Sequence, residues 1–252
     1  MRSSNALLVS EIAGNGAPRS IDQARPTRQY PIHYQAKSLE EQVVALTKYF
    51  PELKTDAVYN YIRTRLPAEL PSGAEGWFAV PRRSAIGKEY RTALIRMTSI
   101  MKSYGFAYIW GEEYYDYLFS TDRTLDYLEK IGSRQKGDIL IIPAQFGMRF
   151  AGQSVAHARS SYEAHEFGLG IFEIGCMLLT NTERLSSPRD LFVDCAGDTY
   201  RPAPGPDANR VPYFDFERAE PGECRYINMR FHFLYDGDPI GQYGSATGFL
   251  FQ

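Results

Sequence analysis

The hydrophobic spacing of this chain changes character once, near Gly137, and that change limits what it can fold into. Before it, apolar residues return every three or four positions. After it they come in short unbroken runs or alternate with polar neighbours. A period of 3.6 marks helices with one buried face, and a period of two marks strands. Helices first and strands second describe an α+β protein, an N-terminal helical part followed by a largely antiparallel sheet. With 252 residues and 44% hydrophobic content the chain can build a sizeable core.

Residues 1–38 read as an extended basic arm. Gly14, Gly16, Pro18, Pro26 and Pro31 interrupt any periodicity, and the segment carries a net +3 in a chain of net −2. Residues 39–136 form the helical region. Ser38 followed by Glu41 is a capping box, after which Leu39, Val43, Leu46 and Phe50 share one face until Pro51. A short helix is expected from Thr55 to Leu66, and Pro71 to Pro81 reads as a loop holding one apolar insert, Trp77 to Val80. The longest helix is expected from Ile86 to Tyr104, with Ile86, Tyr90, Ala93, Leu94, Met97, Ile100, Met101 and Tyr104 in one apolar sector. Another runs from Asp122 to Ile131, capped at Ser120 or Thr121 and closed by Gly132.

Residues 137–252 form a β-rich region, one continuous domain with the helices. Ile139 to Ile142 reads as a buried strand, and Leu191 to Val193 as another that leads into Asp194-Cys195-Ala196-Gly197-Asp198. Residues 226–235 alternate most cleanly. Met229, Phe231 and Phe233 point to one side, while Asn228, Arg230 and His232 point to the other. A turn is expected at Asp236 to Pro239, with a last strand through Gly248 to Phe251. Residues 166–182 fit either element, because Phe167, Leu169 and Ile171 alternate while Ile174, Met177 and Leu178 keep helical spacing. Gly168, Gly170 and Gly175 lack phosphate-loop spacing and read as close backbone packing or bulges.

Two functional readings follow. The stretch 82–102 carries +5. Arg82, Arg83, Lys88, Arg91 and Lys102 are therefore read as a basic face for a polyanion or a protein partner. The 18 tyrosines, which can bury a ring and keep a hydroxyl wet, also suit a binding surface. The leading expectation is a soluble, non-enzymatic binding protein.

The alternative is a cysteine-dependent, or metal-dependent, hydrolase centred on Asp194 and Cys195. Val193-Asp194-Cys195-Ala196-Gly197 resembles the Asp-Cys-Ser-Gly element of NlpC/P60-type cysteine peptidases. That resemblance implies Cys195 as nucleophile at a helix start, Asp194 beside it, and His232 as base. The chain departs from the pattern at Ala196 and in the proline-rich 201–206. More broadly, GAEGWFAVPR, IPAQFG, EFGLG and DCAGD resemble a group of uncharacterised bacterial hypothetical proteins, a resemblance that implies no activity.

No apolar run approaches the ~20 residues of a membrane span, so no membrane partner is expected. Ala6 to Val9 is too short for a signal peptide, which points to a cytoplasmic protein. Three scattered cysteines and four scattered histidines call for no metal and no cofactor.

Overall fold

Ser38 closes the first turn of α1 (Leu39–Tyr49) in both directions. Its Oγ accepts the Glu41 amide at 3.3 Å, and Glu41 Oε2 accepts the Ser38 amide at 3.0 Å. The computed structural model describes residues 23–104, 112–184, 187–201, 210–215 and 234–251. Leu39, Val43, Leu46 and Phe50 are all buried, as the spacing requires.

After α2 (Asp56–Thr64) the expected loop is, from Gly76, a strand: β1 (Gly76–Pro81). Every residue of β1 except Trp77 is buried. A strand covered on both faces has no polar positions to alternate with, so its sequence looks like an apolar insert. Ile86 closes a separate short helix, α3 (Arg83–Ile86), and the chain breaks at Gly87. The helix expected from Ile86 therefore starts only at Tyr90, as α4 (Tyr90–Ser103), with Tyr104 exposed at its end. The break brings Arg83 and Tyr90 face to face, the guanidinium carbon 4.1 Å from the ring centre.

A 3-10 turn leads into β2 (Leu118–Ser120) and α5 (Asp122–Arg134), whose first turn is capped by Thr121. Gly132 lies inside α5 rather than after it. A side-chain carbon there would stand 2.6 Å from Arg82 Nη1. Arg82 donates to the carbonyls of Gly132 (2.7 Å), Gly137 (2.5 Å) and Gln135, so the glycine makes room for a guanidinium that caps the helix end.

The chain continues through β3 (Ile139–Gln145), α6 (Val155–Ser160), β4 (Glu166–Gly168) and α7 (Ile171–Thr180). Short strands follow: β5 (Phe192–Asp194), β6 (Asp198–Tyr200), β7 (Arg210–Val211), β8 (Tyr213–Phe214), β9 (Leu234–Tyr235), β10 (Tyr243–Ser245) and β11 (Thr247–Phe249). They form three sheets, ordered β1-β3-β11-β4, β10-β5-β8 and β2-β6-β7-β9. Pairing is antiparallel except between β10 and β5. This is an α+β fold. The final strand pairs with β3 and β4. Of the expected strand 226–235, only Leu234 and Tyr235 fall within the described residues.

The ambiguous segment 166–182 contains both elements in turn, β4 and then α7. All ten residues of α7 are buried, and it packs against α1, α4 and β1. A helix apolar on all sides belongs in the interior. Residues 23–38 lie along the body: Thr27 donates to the Gly241 carbonyl at 2.7 Å, and Leu191 donates to the Gln29 carbonyl at 2.9 Å.

Candidate functional site

The N-terminus of α7 is held by side chains from four other elements. Asp198 Oδ2 accepts the Ile171 amide at 2.8 Å and the Tyr90 hydroxyl, while Oδ1 accepts Ser120 Oγ–H at 2.8 Å. Arg83 Nη1 donates to Ser120 Oγ at 2.6 Å, and its Nε and Nη2 each donate to Glu173 at 2.7 Å. Burial works most strongly against the Arg83 charge, but Glu173, Tyr90 and Asp198 together outweigh it and keep the guanidinium protonated. Burial pushes the Asp198 carboxyl up, with Arg83 opposing. A helix start needs acceptors for its free amides, and Asp198 supplies one from another strand. The network is closed on itself, which suits an anchor more than a reaction centre.

The Asp194–Asp198 segment is a turn between β5 and β6. The Asp198 amide donates to the Cys195 carbonyl at 2.9 Å, and no helix opens at the cysteine. Cys195 is fully buried, and burial followed by the carboxylates of Asp198, Asp194 and Glu173 raises its thiol well above the ordinary range. A thiol in such surroundings stays protonated and is a poor nucleophile. Asp194 is buried at the end of β5, its Oδ1 without a hydrogen-bond partner. Burial lifts its carboxyl to about 7 against the pull of Arg159. His232 lies outside the described residues. Of the three glycines of the 168–175 segment, Gly168 packs backbone on backbone: a side-chain carbon on Gly197 would stand 2.5 Å from the Gly168 carbonyl oxygen. Gly170 and Gly175 instead make room for the side chains of Asp198 and Met97.

The five basic residues are dispersed in role. Arg82 caps α5, Arg83 is bound to Glu173, and Arg91 Nε lies 2.6 Å from Asp116 Oδ1. Lys88 and Lys102 are exposed and form no ion pair among the described residues. Arg96, in the same stretch, pairs with Glu52 at 2.5 Å. Acids from elsewhere in the chain thus meet three of the six basic residues of this stretch, Arg83, Arg91 and Arg96, while Arg82 is held by carbonyls.

A cavity of about 640 Å³ opens elsewhere, between residues 30–40 and the elements α1, α2 and β1. Tyr30, Tyr34, Leu39, Ile62, Leu66 and Trp77 supply its apolar and aromatic walls, and Glu75 supplies a carboxyl group. Tyr30 and Tyr34 meet edge to face with centroids 5.7 Å apart. The Glu75 carboxyl is pushed up by burial, while a hydrogen bond from the Tyr30 hydroxyl, the charge of Arg184 and the Phe146 amide pull it down. Arg184 is fully buried behind this wall. It stacks on Tyr30 at 3.9 Å and donates to the carbonyls of Leu191 (3.0 Å) and Phe146 (3.1 Å). Two buried atoms at this wall have no hydrogen-bond partner, Glu75 Oε1 and the Tyr34 hydroxyl. Such atoms cost stability unless something offsets them.

No family model, no curated protein and no solved structure matches the chain. Nothing in the hydrophobic spacing singles out Glu75 or Tyr34. Their one signal was the excess of tyrosine, together with an acidic residue placed two positions before Trp77. The residues that meet here are 41 positions apart in the chain, a pairing that helical or strand periodicity does not reveal.

Proposed function

We propose that this is a non-enzymatic binding protein whose ligand is a small molecule seated in the cavity beside Glu75. The observation that carries the reading is the coincidence of two things in one place: a volume suited to a small ligand, and a lining of aromatic rings with the Glu75 side chain among them. Binding sites characteristically combine an apolar concavity with a few convergent polar groups. The N-terminal segment forms one wall, which gives the tethered residues 30–40 a purpose beyond covering the core.

The test is a screen of the full-length protein against small-molecule fragments by ligand-observed NMR, run in parallel on Leu66→Trp. Leu66 is half-buried at the wall, so the larger ring fills the cavity without entering the core. Saturable binding to the parent protein that is lost in the variant supports the reading. A folded parent protein that binds nothing saturably overturns it.

A further inference from the structure

We infer that the chain joins its own last strand to β3 through an ester bond between Thr247 and Gln145. The reaction is independent of the cavity and goes beyond the binding reading. β11 and β3 run antiparallel with Thr247 directly opposite Gln145, so the two side chains stand on one face of the sheet. Thr247 Oγ1 donates to Glu166 Oε1 at 2.8 Å and accepts from Gln145 Nε2 at 2.9 Å. The amide carbon of Gln145 is one bond beyond that nitrogen. A nucleophile, a base and an electrophile are thus in contact, although 81 and 102 positions separate Thr247 from Glu166 and Gln145.

The surroundings of the amide suit it to attack. Its Nε2 also donates to the Ser245 carbonyl at 2.9 Å, while its Oε1 accepts the Gly147 amide at 2.5 Å with the Arg149 amide 3.5 Å away. Main-chain amides aimed at a carbonyl oxygen draw charge from its carbon and receive the negative charge of a tetrahedral intermediate. Thr247 and Glu166 are fully buried and Gln145 is 2% exposed, so water competes neither as nucleophile nor for the product. Arg149 Nε, 3.3 Å from Glu166 Oε1, helps hold the carboxylate in place.

The amide turns about its Cγ–Cδ bond to present its face, and Oγ1 attacks Cδ as Glu166 takes the hydroxyl proton. The intermediate collapses with cleavage of the Cδ–Nε2 bond, and Glu166 passes the proton to the departing nitrogen, which leaves as ammonia. One O–H and one C–N bond break, and one C–O and one N–H bond form. Nothing is oxidised or reduced, and the base returns unchanged.

The test is the intact mass of the folded, full-length chain after a week at room temperature, followed by mapping of its tryptic peptides. The expected result is a chain lighter than its sequence by one ammonia, with peptides 137–149 and 231–252 recovered as one joined species. Hydroxylamine added to that species should separate it, because it cleaves esters and spares amides. Thr247→Val keeps the shape without the hydroxyl and should retain the full mass, whereas Thr247→Ser should restore the loss. Glu166→Gln should slow the loss about a hundredfold or more, the share of a general base. A folded parent chain that keeps its full sequence mass overturns the proposal, and so does a missing ammonia found within one unjoined peptide. Both of those results are read on the parent protein and need no variant to fold.

Discussion

Arg83 and Glu173 meet in a two-point contact, Nε and Nη2 each 2.7 Å from a different carboxylate oxygen, although 90 positions separate them in the chain. Arg83 stands at the start of α3 and Glu173 in the first turn of α7, with side-chain exposures of 17% and 2%. The pair joins the surface layer to the innermost helix, and its fork geometry fixes the angle at which α7 enters the core.

Breaking this pair from one side should be costly. Arg83→Met or Glu173→Gln leaves a buried group without its partner and is expected to lose about 3 kcal/mol or more. The double variant Arg83→Met/Glu173→Met removes both charges and should recover part of that loss. Urea unfolding of the two single variants and the double variant measures the coupling. Strictly additive losses would show that the two residues do not act as a pair.

Asp194 makes a pH prediction. Its carboxyl sits at about 7 in the folded protein, against 3.8 for an unperturbed aspartate. The folded chain therefore holds this proton more tightly than the unfolded chain does. The contribution is complete below about pH 4 and is lost as pH rises to about 7, an effect of roughly 4 kcal/mol across the window. Asp194→Asn cannot ionise and should become progressively more stable than the parent between those limits. The measurement is unfolding free energy at successive pH values, and parallel curves for the two proteins would contradict it.

The cysteines provide a direct reading of burial. Cys176 and Cys195 are both fully buried, and burial raises both thiols. In a Cys224→Ser background, Ellman's reagent at pH 8 should find no rapidly reacting thiol until denaturant is added. It should then find two. Rapid reaction of Cys195 in the native protein would restore the nucleophile reading.

Gly197→Ala tests the backbone contact between the turn after β5 and strand β4. The new carbon would lie within 2.6 Å of Gly168 O, Leu169 C and Gly170 N, all of them main-chain atoms. Main chain cannot swing aside as a side-chain tip can, so a loss of about 2–3 kcal/mol is expected from overpacking. The same substitution at Gly237, which has open space around it, should change stability by less than about 0.5 kcal/mol. Thermal unfolding of the two variants provides the comparison.

Local chemistry settled much of this fold from the sequence alone. The Ser38–Glu41 capping box, the Thr121 cap and the buried faces of α1 and α4 follow from side chains within a few positions of one another. Interactions of that range need no knowledge of the rest of the chain. The change of period near Gly137 likewise set the α+β class. What the sequence hid were features created by distant contacts. β1 looked like an insert because cover on both faces removes alternation. Gly132 looked like a helix stop because Arg82, 50 positions earlier, was not in view. Arg83 and Arg91 looked like a binding surface because Glu173 and Asp116 reach them only after folding. The cavity beside Glu75 belongs to the same group. It exists because residues 30–40 fold back over α2 and β1, and only tertiary packing decides which donor and acceptor are left without partners.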